Sequence, residues 1–190
     1  MKHVLARILL ALGIICSLAG AAFAQHGPAA ASGAPEPAAT VVDAAVKRAN
    51  AENKTVWVDF GASWCGWCRK LEAFLEAPEV KDIIQKHYLI VPLTVMESGP
   101  KKALENPGGE AMMKNLGGGG GLPFYAFLDG SGKRIANSMA MPRGGNIGFP
   151  ANQEEIDAFM ALLGKTATAL SNAERDRVVA YLNKIVPAKK

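Results

Sequence analysis

Two cysteines three positions apart, Cys65 and Cys68, stand where a strand is expected to end and a helix to begin. Residues 55–60 (TVWVDF) are β-branched and aromatic, which is typical of a strand that is buried on both faces. Beyond the cysteines, an apolar stripe at helical spacing consists of Leu71, Phe74 and Leu75. A Cys-x-x-Cys pair on the first turn of such a helix has both sulfurs on one face, near enough to bond.

The hydrophobic pattern predicts an alternating order of elements: helix 40–54, strand 55–60, helix 65–77, strand 88–95, hairpin 124–139 and two closing helices. The first two strands need a crossover helix and should be parallel, while the hairpin adds an antiparallel pair. Pro92 inside the second strand predicts an edge position or a bulge. The prediction is an α/β fold with a central mixed sheet of about four to five strands, flanked by helices, and with an extra C-terminal helix.

The position of the cysteine pair at a helix start indicates redox chemistry. The amide groups and the dipole of a helix N-terminus favour negative charge, which lowers the pKa of the first cysteine and makes its thiolate available. Cys65, at the turn, is therefore expected to be the exposed nucleophile. Cys68, one turn inside, is expected to be the resolving thiol, which attacks the mixed disulfide and releases the partner.

Two other uses of the pair remain open. A zinc site would need two more ligands. Without the N-terminal segment that is expected to be removed, which holds Cys16 and His3, the chain offers no third cysteine and only His26 and His87. A purely structural disulfide would close a loop too short to constrain the chain much. Redox chemistry is favoured, with neither a metal nor a cofactor expected.

Residues 58–70 (VDFGASWCGWCRK) resemble the active-site segment of the thioredoxin superfamily, and in particular its exported thioredoxin-like domains. The likeness extends from about Val41 to Leu163. It implies the thioredoxin-like fold, a mixed sheet flanked by helices. It also implies the activity of a thiol–disulfide oxidoreductase, which exchanges disulfides with protein substrates.

The resemblance implies a catalytic role for Asp59, six residues before Cys65. This position matches a buried carboxylate that helps to move the proton of the second cysteine. A lone carboxylate in an apolar strand should have a raised pKa, which suits proton transfer; an aspartate at a strand end that reaches water is the alternative. Many thioredoxins have a lysine in the next strand near this aspartate, and Pro92 falls in that place here, so the proton relay is expected to differ.

The resemblance also implies substrate-binding residues on both sides of the cysteines. Leu122-Pro123 matches the family's cis-proline, which offers backbone to a bound peptide strand. Trp64 matches a tryptophan that packs beside the pair, and Gly66-Trp67 is the variable dipeptide between the cysteines. This dipeptide is neither the Gly-Pro of reducing thioredoxins nor the His-bearing pair of strong oxidants. With no His or Lys between the cysteines, a moderate potential that leans toward reduction is expected.

The N-terminus is arranged like a secretory signal peptide. A positively charged start, with Lys2 and Arg7, is followed by an apolar stretch at 8–18, and the tripeptide 22–24 has small residues at the two positions that signal peptidase recognises. The expected layout is a signal peptide at 1–24, a flexible Ala/Pro-rich linker at 25–39, and a thioredoxin-like domain at 40–190 with a helical extension from about 171. An uncleaved anchor is the alternative, but the apolar stretch is shorter than the roughly 20 residues that span a bilayer.

The expected location is periplasmic or secreted, and charge narrows the expected partners. The formal charge of +4 falls to about +2 without Lys2 and Arg7 (4 − 2 = 2), and the basic residues form no block. Nucleic-acid binding therefore has little electrostatic support. The expected partners are protein thiols and disulfides, with a membrane-bound electron donor as an option and no stable membrane insertion after cleavage. A disulfide oxidase or isomerase of the same fold, a non-catalytic binding module and a metal chaperone remain alternatives.

Overall fold

A computed structural model describes residues 33–119, 121–167 and 169–186. The expected signal peptide at 1–24 and most of the expected linker at 25–39 lie outside the described residues. None of the helices in the described ranges is both long enough and apolar enough to cross a membrane.

The elements expected at 40–54, 55–60, 65–77, 88–95 and 124–139 and the two closing helices occur in the predicted order. The elements of the described chain are α1 (Ala38–Glu52), β1 (Thr55–Gly61), α2 (Gly66–Leu75), α3 (Lys81–His87), β2 (Tyr88–Thr94), a 3-10 helix (Gly99–Leu104), α4 (Gly109–Asn115), β3 (Phe124–Leu128), β4 (Arg134–Asn137), α5 (Gln153–Thr166) and α6 (Asn172–Ile185). Helix α1 begins two residues before the predicted Thr40, since Ala38 is buried and its N–H donates to Pro107 O at 2.9 Å. The last two residues of the expected linker thus belong to this helix.

The strands form one mixed sheet of four strands in the order β2-β1-β3-β4. Strands β1 and β2 are parallel, whereas β1 pairs antiparallel with β3, and β3 with β4. The predicted mixed sheet flanked by helices is confirmed, with four strands in the described residues. Pro92 is exposed on β2, which is an edge strand. Proline has no backbone N–H to donate, and an edge strand has no second neighbouring strand that would need this hydrogen bond.

Side chains of β1 alternate between the two faces of the sheet, because successive residues of a strand point to opposite sides. Trp57 belongs to the apolar cluster that includes residues of α2, α3, α5 and α6. Val56, Val58 and Phe60 belong to the cluster that includes residues of α1 and α4. Both faces of β1 are therefore covered by helices, as its continuous apolar sequence predicts.

The C-terminal helix α6 packs on the domain. Val178 and Leu182 are fully buried in the same cluster as Trp57. Ser171 and Glu174 form a capping box at its start, in which each side chain accepts a backbone N–H of the other residue. Helix α6 thus contributes buried side chains to the core of the domain.

Candidate active site

The cysteine pair lies where β1 ends and α2 begins. Cys65 is the N-cap of α2: it has extended backbone angles, and its Sγ accepts a hydrogen bond from the Cys68 N–H at 3.0 Å. The helical turn holds the two Cα atoms 5.3 Å apart, and the sulfurs form a disulfide. This distance lies within the usual range for disulfides, so the pair can bond without moving the backbone.

The cysteines are less accessible than the sequence indicated. Cys65 is 4% exposed and Cys68 is 9% exposed. The expectation of an exposed Cys65 is therefore wrong for the oxidised protein, because the sulfurs are bonded to each other and pack with Ala62 and Leu122. An attacking reagent must reach Cys65 past these neighbours.

Asp59 lies beneath the helix that carries the cysteines. A Cβ on Gly61 would lie 3.6 Å from Cys68 Sγ, so this sulfur rests on the end of β1. Asp59 is two residues before Gly61 and faces the same side of the sheet. Its Oδ1 is buried and has no hydrogen-bond partner among the described residues. Burial, reinforced by the negative charge of Glu72, raises the pKa of Asp59 to about 7. A carboxyl group that titrates near neutral pH can take up or give back a proton.

The strand neighbours of Asp59 bring no positive charge to it. Pro92 is its register partner on β2, and Tyr125 is its partner on β3. The Tyr125 hydroxyl donates instead to the carbonyl of Gly148, at 3.2 Å. Pro92 thus lies beside Asp59, where the resemblance to thioredoxins predicted it in place of a lysine.

Leu122 and Pro123 approach the cysteines from β3. The peptide bond between them is cis, in agreement with that feature of the resemblance. The Leu122 side chain packs against the cluster formed by Ala62, Cys65 and Cys68. Leu122, just before β3, therefore lies beside the disulfide.

Two tryptophans project on either side of Cys65. Trp64 is 56% exposed and Trp67 is 48% exposed, so both present apolar surface to solvent. The indole N–H of Trp64 donates to Met96 O at 2.8 Å. The ammonium group of Lys70 lies 4.3 Å from the centroid of the Trp67 ring. Tryptophan is enriched at protein interfaces, where one part of its ring system is apolar and its N–H is polar.

Sequence reasoning missed Glu97, a buried carboxylate beside the active-site turn. Its two oxygens accept hydrogen bonds from the backbone N–H and the hydroxyl of Ser63. Lys101 donates to the same hydroxyl at 3.0 Å, and Arg69 donates to Ser63 O at 2.9 Å. No local pattern marks Glu97, because its partner lies 34 residues away along the chain.

Within the ranges that the structure describes, no group of three or more His, Cys, Asp or Glu residues is arranged to hold a metal ion. The two sulfurs can undergo disulfide exchange, and the carboxyl group of Asp59 can take part in proton transfer.

The fold and the site together are those of a thioredoxin-like domain with a Cys-x-x-Cys pair. Its marks are the mixed sheet, the Cys-x-x-Cys disulfide at a helix start and the cis-proline before the third strand. Residues 38–130 match the model of a family described as thioredoxin-like. The match begins with α1 and includes the first three strands and both cysteines, so this part of the chain is a thioredoxin-like domain. No curated protein gives a significant match to the chain.

Several solved structures are similar to this chain. One is a disulphide isomerase from Xylella fastidiosa Temecula1, with 19% identity, a TM-score of 0.46, and coverage of 86% of this chain and 100% of that one. A second is a DsbH oxidoreductase, with 20% identity, a TM-score of 0.43, and coverage of 77% and 93%. A third is the oxidised C-terminal domain of DsbD from Neisseria meningitidis, with 25% identity, a TM-score of 0.37, and coverage of 55% and 84%.

Proposed function

We propose that the protein exchanges disulfides with protein substrates through Cys65, and that Cys68 resolves the mixed disulfide. The observation that carries this proposal is the Cys65–Cys68 disulfide at the start of α2, with Leu122 packed against it. A disulfide between residues this close in sequence adds little to stability. We therefore infer that it serves in redox exchange, in which it is reduced and formed again.

The exchange can be written for the reducing direction. The Cys65 thiolate attacks one sulfur of a substrate disulfide, forms a mixed disulfide and releases the other substrate sulfur as a thiolate, which takes up a proton. The Cys68 thiol gives its proton to the Asp59 carboxylate and attacks Cys65 Sγ. The second substrate sulfur leaves and is protonated in turn, so the substrate gains two electrons and two protons. A dithiol reductant must then restore the cysteine pair.

The direction and the compartment are also part of the proposal. The dipeptide Gly66-Trp67 has no His or Lys to stabilise a thiolate strongly, which favours a reductase over a strong oxidant. The signal-like order of the N-terminus supports a signal peptide at 1–24, a linker up to α1 and a periplasmic or secreted domain. A reductase there would need an electron donor, and a membrane-bound dithiol protein would supply the electrons.

Reduction of insulin disulfides by a dithiol reductant tests the activity. The wild-type protein should accelerate the reaction, and Cys65→Ser should be no faster than the reductant alone. Equal rates for the two proteins would instead identify a non-catalytic binding module. Equilibration of the pair with glutathione tests the direction: a potential above that of the glutathione couple would make the protein an oxidase or isomerase.

A further inference from the structure

One asparagine in the segment between β4 and α5 holds the backbone around the cis-proline. The Asn146 amide nitrogen donates to Pro123 O at 2.9 Å and to Gly121 O at 3.4 Å. These two carbonyls lie on either side of Leu122, the residue that packs against the cysteines. Asn146 lies beyond residues 38–130, the part of the chain that matches the family model.

The Asn146 side chain is itself fixed. Its Oδ1 accepts a hydrogen bond from the Gly148 N–H at 3.3 Å, which leaves the amide N–H groups directed at the two carbonyls. Gly148 has a φ of 57°, a conformation that favours glycine, and a Cβ there would lie 3.7 Å from Pro123 Cδ. Tyr125 also donates to Gly148 O, so the segment is fastened to β3 as well as to the proline.

The same segment reaches the dipeptide between the cysteines. Phe149 is buried, and its ring lies 6.1 Å from that of Trp67 at an interplanar angle of 19°. Asn146 and Phe149 thus contact both sides of the expected peptide site, one at the cis-proline and the other at Trp67. A segment with these contacts can set the width and the shape of the groove.

We propose that Asn146 is a positioning residue for the peptide substrate, an inference that rests on the proposed disulfide exchange. Among the described residues, neither the N–H nor the C=O of Leu122 forms a backbone–backbone hydrogen bond in the turns and loops. Asn146 fixes the carbonyls of Gly121 and Pro123. It thereby holds the N–H and C=O of Leu122 in the orientation that an extended peptide needs. This preorganisation lowers the entropy lost when the peptide binds. Small disulfides, which need no backbone pairing, do not depend on it.

The test compares a peptide disulfide with hydroxyethyl disulfide as substrates of full-length wild type, Asn146→Asp and Asn146→Gln. Asn146→Asp keeps the size but loses both donated hydrogen bonds, so KM for the peptide should rise about tenfold, the effect of losing roughly one net hydrogen bond. The rate with hydroxyethyl disulfide, kcat for the peptide and the redox potential should stay near wild type. Asn146→Gln retains the donors and should recover part of the loss in KM.

Asn106→Asp is a matched control, because Asn106 also donates to a backbone carbonyl, that of Glu36, and accepts a backbone N–H, that of Thr94. This control should leave the peptide KM unchanged. An unchanged KM in Asn146→Asp, or an equal loss with both substrates, would overturn the role of Asn146. If Asn146→Asp does not fold, the comparison is made with Asn146→Ser, which should also raise the peptide KM. A wild-type protein inactive on both disulfides would instead overturn the proposed exchange.

Discussion

The carboxylate of Glu97 receives both the backbone N–H and the hydroxyl of Ser63, the residue two positions before the first cysteine. Met96, next to Glu97, has a φ of 57° and accepts the indole N–H of Trp64. A positive φ is uncommon for residues other than glycine and persists where surrounding contacts determine it. The turn that leads into α2 is therefore held by the segment after β2.

Removal of this carboxylate should destabilise the protein. Glu97→Ala leaves the Ser63 N–H and hydroxyl without their acceptor, and we expect the free energy of unfolding to fall by about 1–3 kcal/mol. Ser63→Ala removes only the hydroxyl contact and should cost less, about 0.5–1.5 kcal/mol. Glu36→Ala is a control, since this exposed residue should change stability by less than about 0.5 kcal/mol. Urea unfolding measures the stability of all three variants. Equal stability of Glu97→Ala and wild type would show that the hydrogen bonds between Glu97 and Ser63 do not stabilise the fold.

Stability of the oxidised protein should depend on pH through Asp59. The pKa of this carboxyl group is about 7 in the folded protein and 3.8 when it is freely solvated. Between these values the folded state binds the extra proton, so the free energy of unfolding falls as pH rises from about 4 to 7. The loss amounts to no more than about 4 kcal/mol. Asp59→Asn should remove this dependence and be more stable than wild type at pH 8.

Urea unfolding at pH 5 and pH 8 checks this expectation for wild type and Asp59→Asn. The difference in stability between the two proteins should be larger at the higher pH. Parallel pH profiles would mean that Asp59 reaches water and is ionised in both states.

The two cysteines should differ in their ability to retain a substrate. Cys68→Ser leaves the attacking thiol but removes the resolving one, so a mixed disulfide with a peptide should accumulate on Cys65. Cys65→Ser should form far less of it, because Cys65, and not Cys68, is the N-cap of α2. Non-reducing electrophoresis with mass spectrometry of the adduct measures both. More adduct on Cys65→Ser than on Cys68→Ser would reverse the assigned roles.

Helix α6 should be necessary for stability even though it follows the segment that matches the family model. Leu182 is fully buried, and Leu182→Ala should lower the free energy of unfolding by about 2–5 kcal/mol. Leu104 is 53% exposed, so Leu104→Ala should change it by less than about 0.5 kcal/mol. Thermal or urea unfolding decides the matter, and similar stabilities for the two variants would mean that α6 does not contribute to the core.

The elements that the sequence predicted well are those set by local patterns. The apolar run of β1, the helical stripe of α2 and the edge position of Pro92 follow from periodicity and from the missing N–H of proline. The raised pKa of Asp59 could also be predicted, because a carboxyl group in an apolar strand is desolvated whatever its exact neighbours are.

The features that escaped prediction depend on contacts between distant segments. Glu97 and Ser63 are 34 residues apart, and Asn146 and Pro123 are 23 apart, so neither pair leaves a periodic trace. The burial of Cys65 also depends on Leu122, which the fold brings to the cysteines from the segment before β3. Loop side chains of this kind form hydrogen bonds with particular backbone groups, and only the folded structure shows which backbone groups these are.

Alkylation of the reduced protein tests most directly whether Cys65 is the activated thiol. Iodoacetamide is added over a range of pH, and mass spectrometry locates the modified cysteine at short times. Since Cys65 caps α2 and its sulfur accepts the Cys68 N–H, it should react first and should still react rapidly at pH 6, where an ordinary thiol is almost unreactive. Preferential modification of Cys68, or a rate for Cys65 no greater than in the unfolded protein, would contradict this assignment.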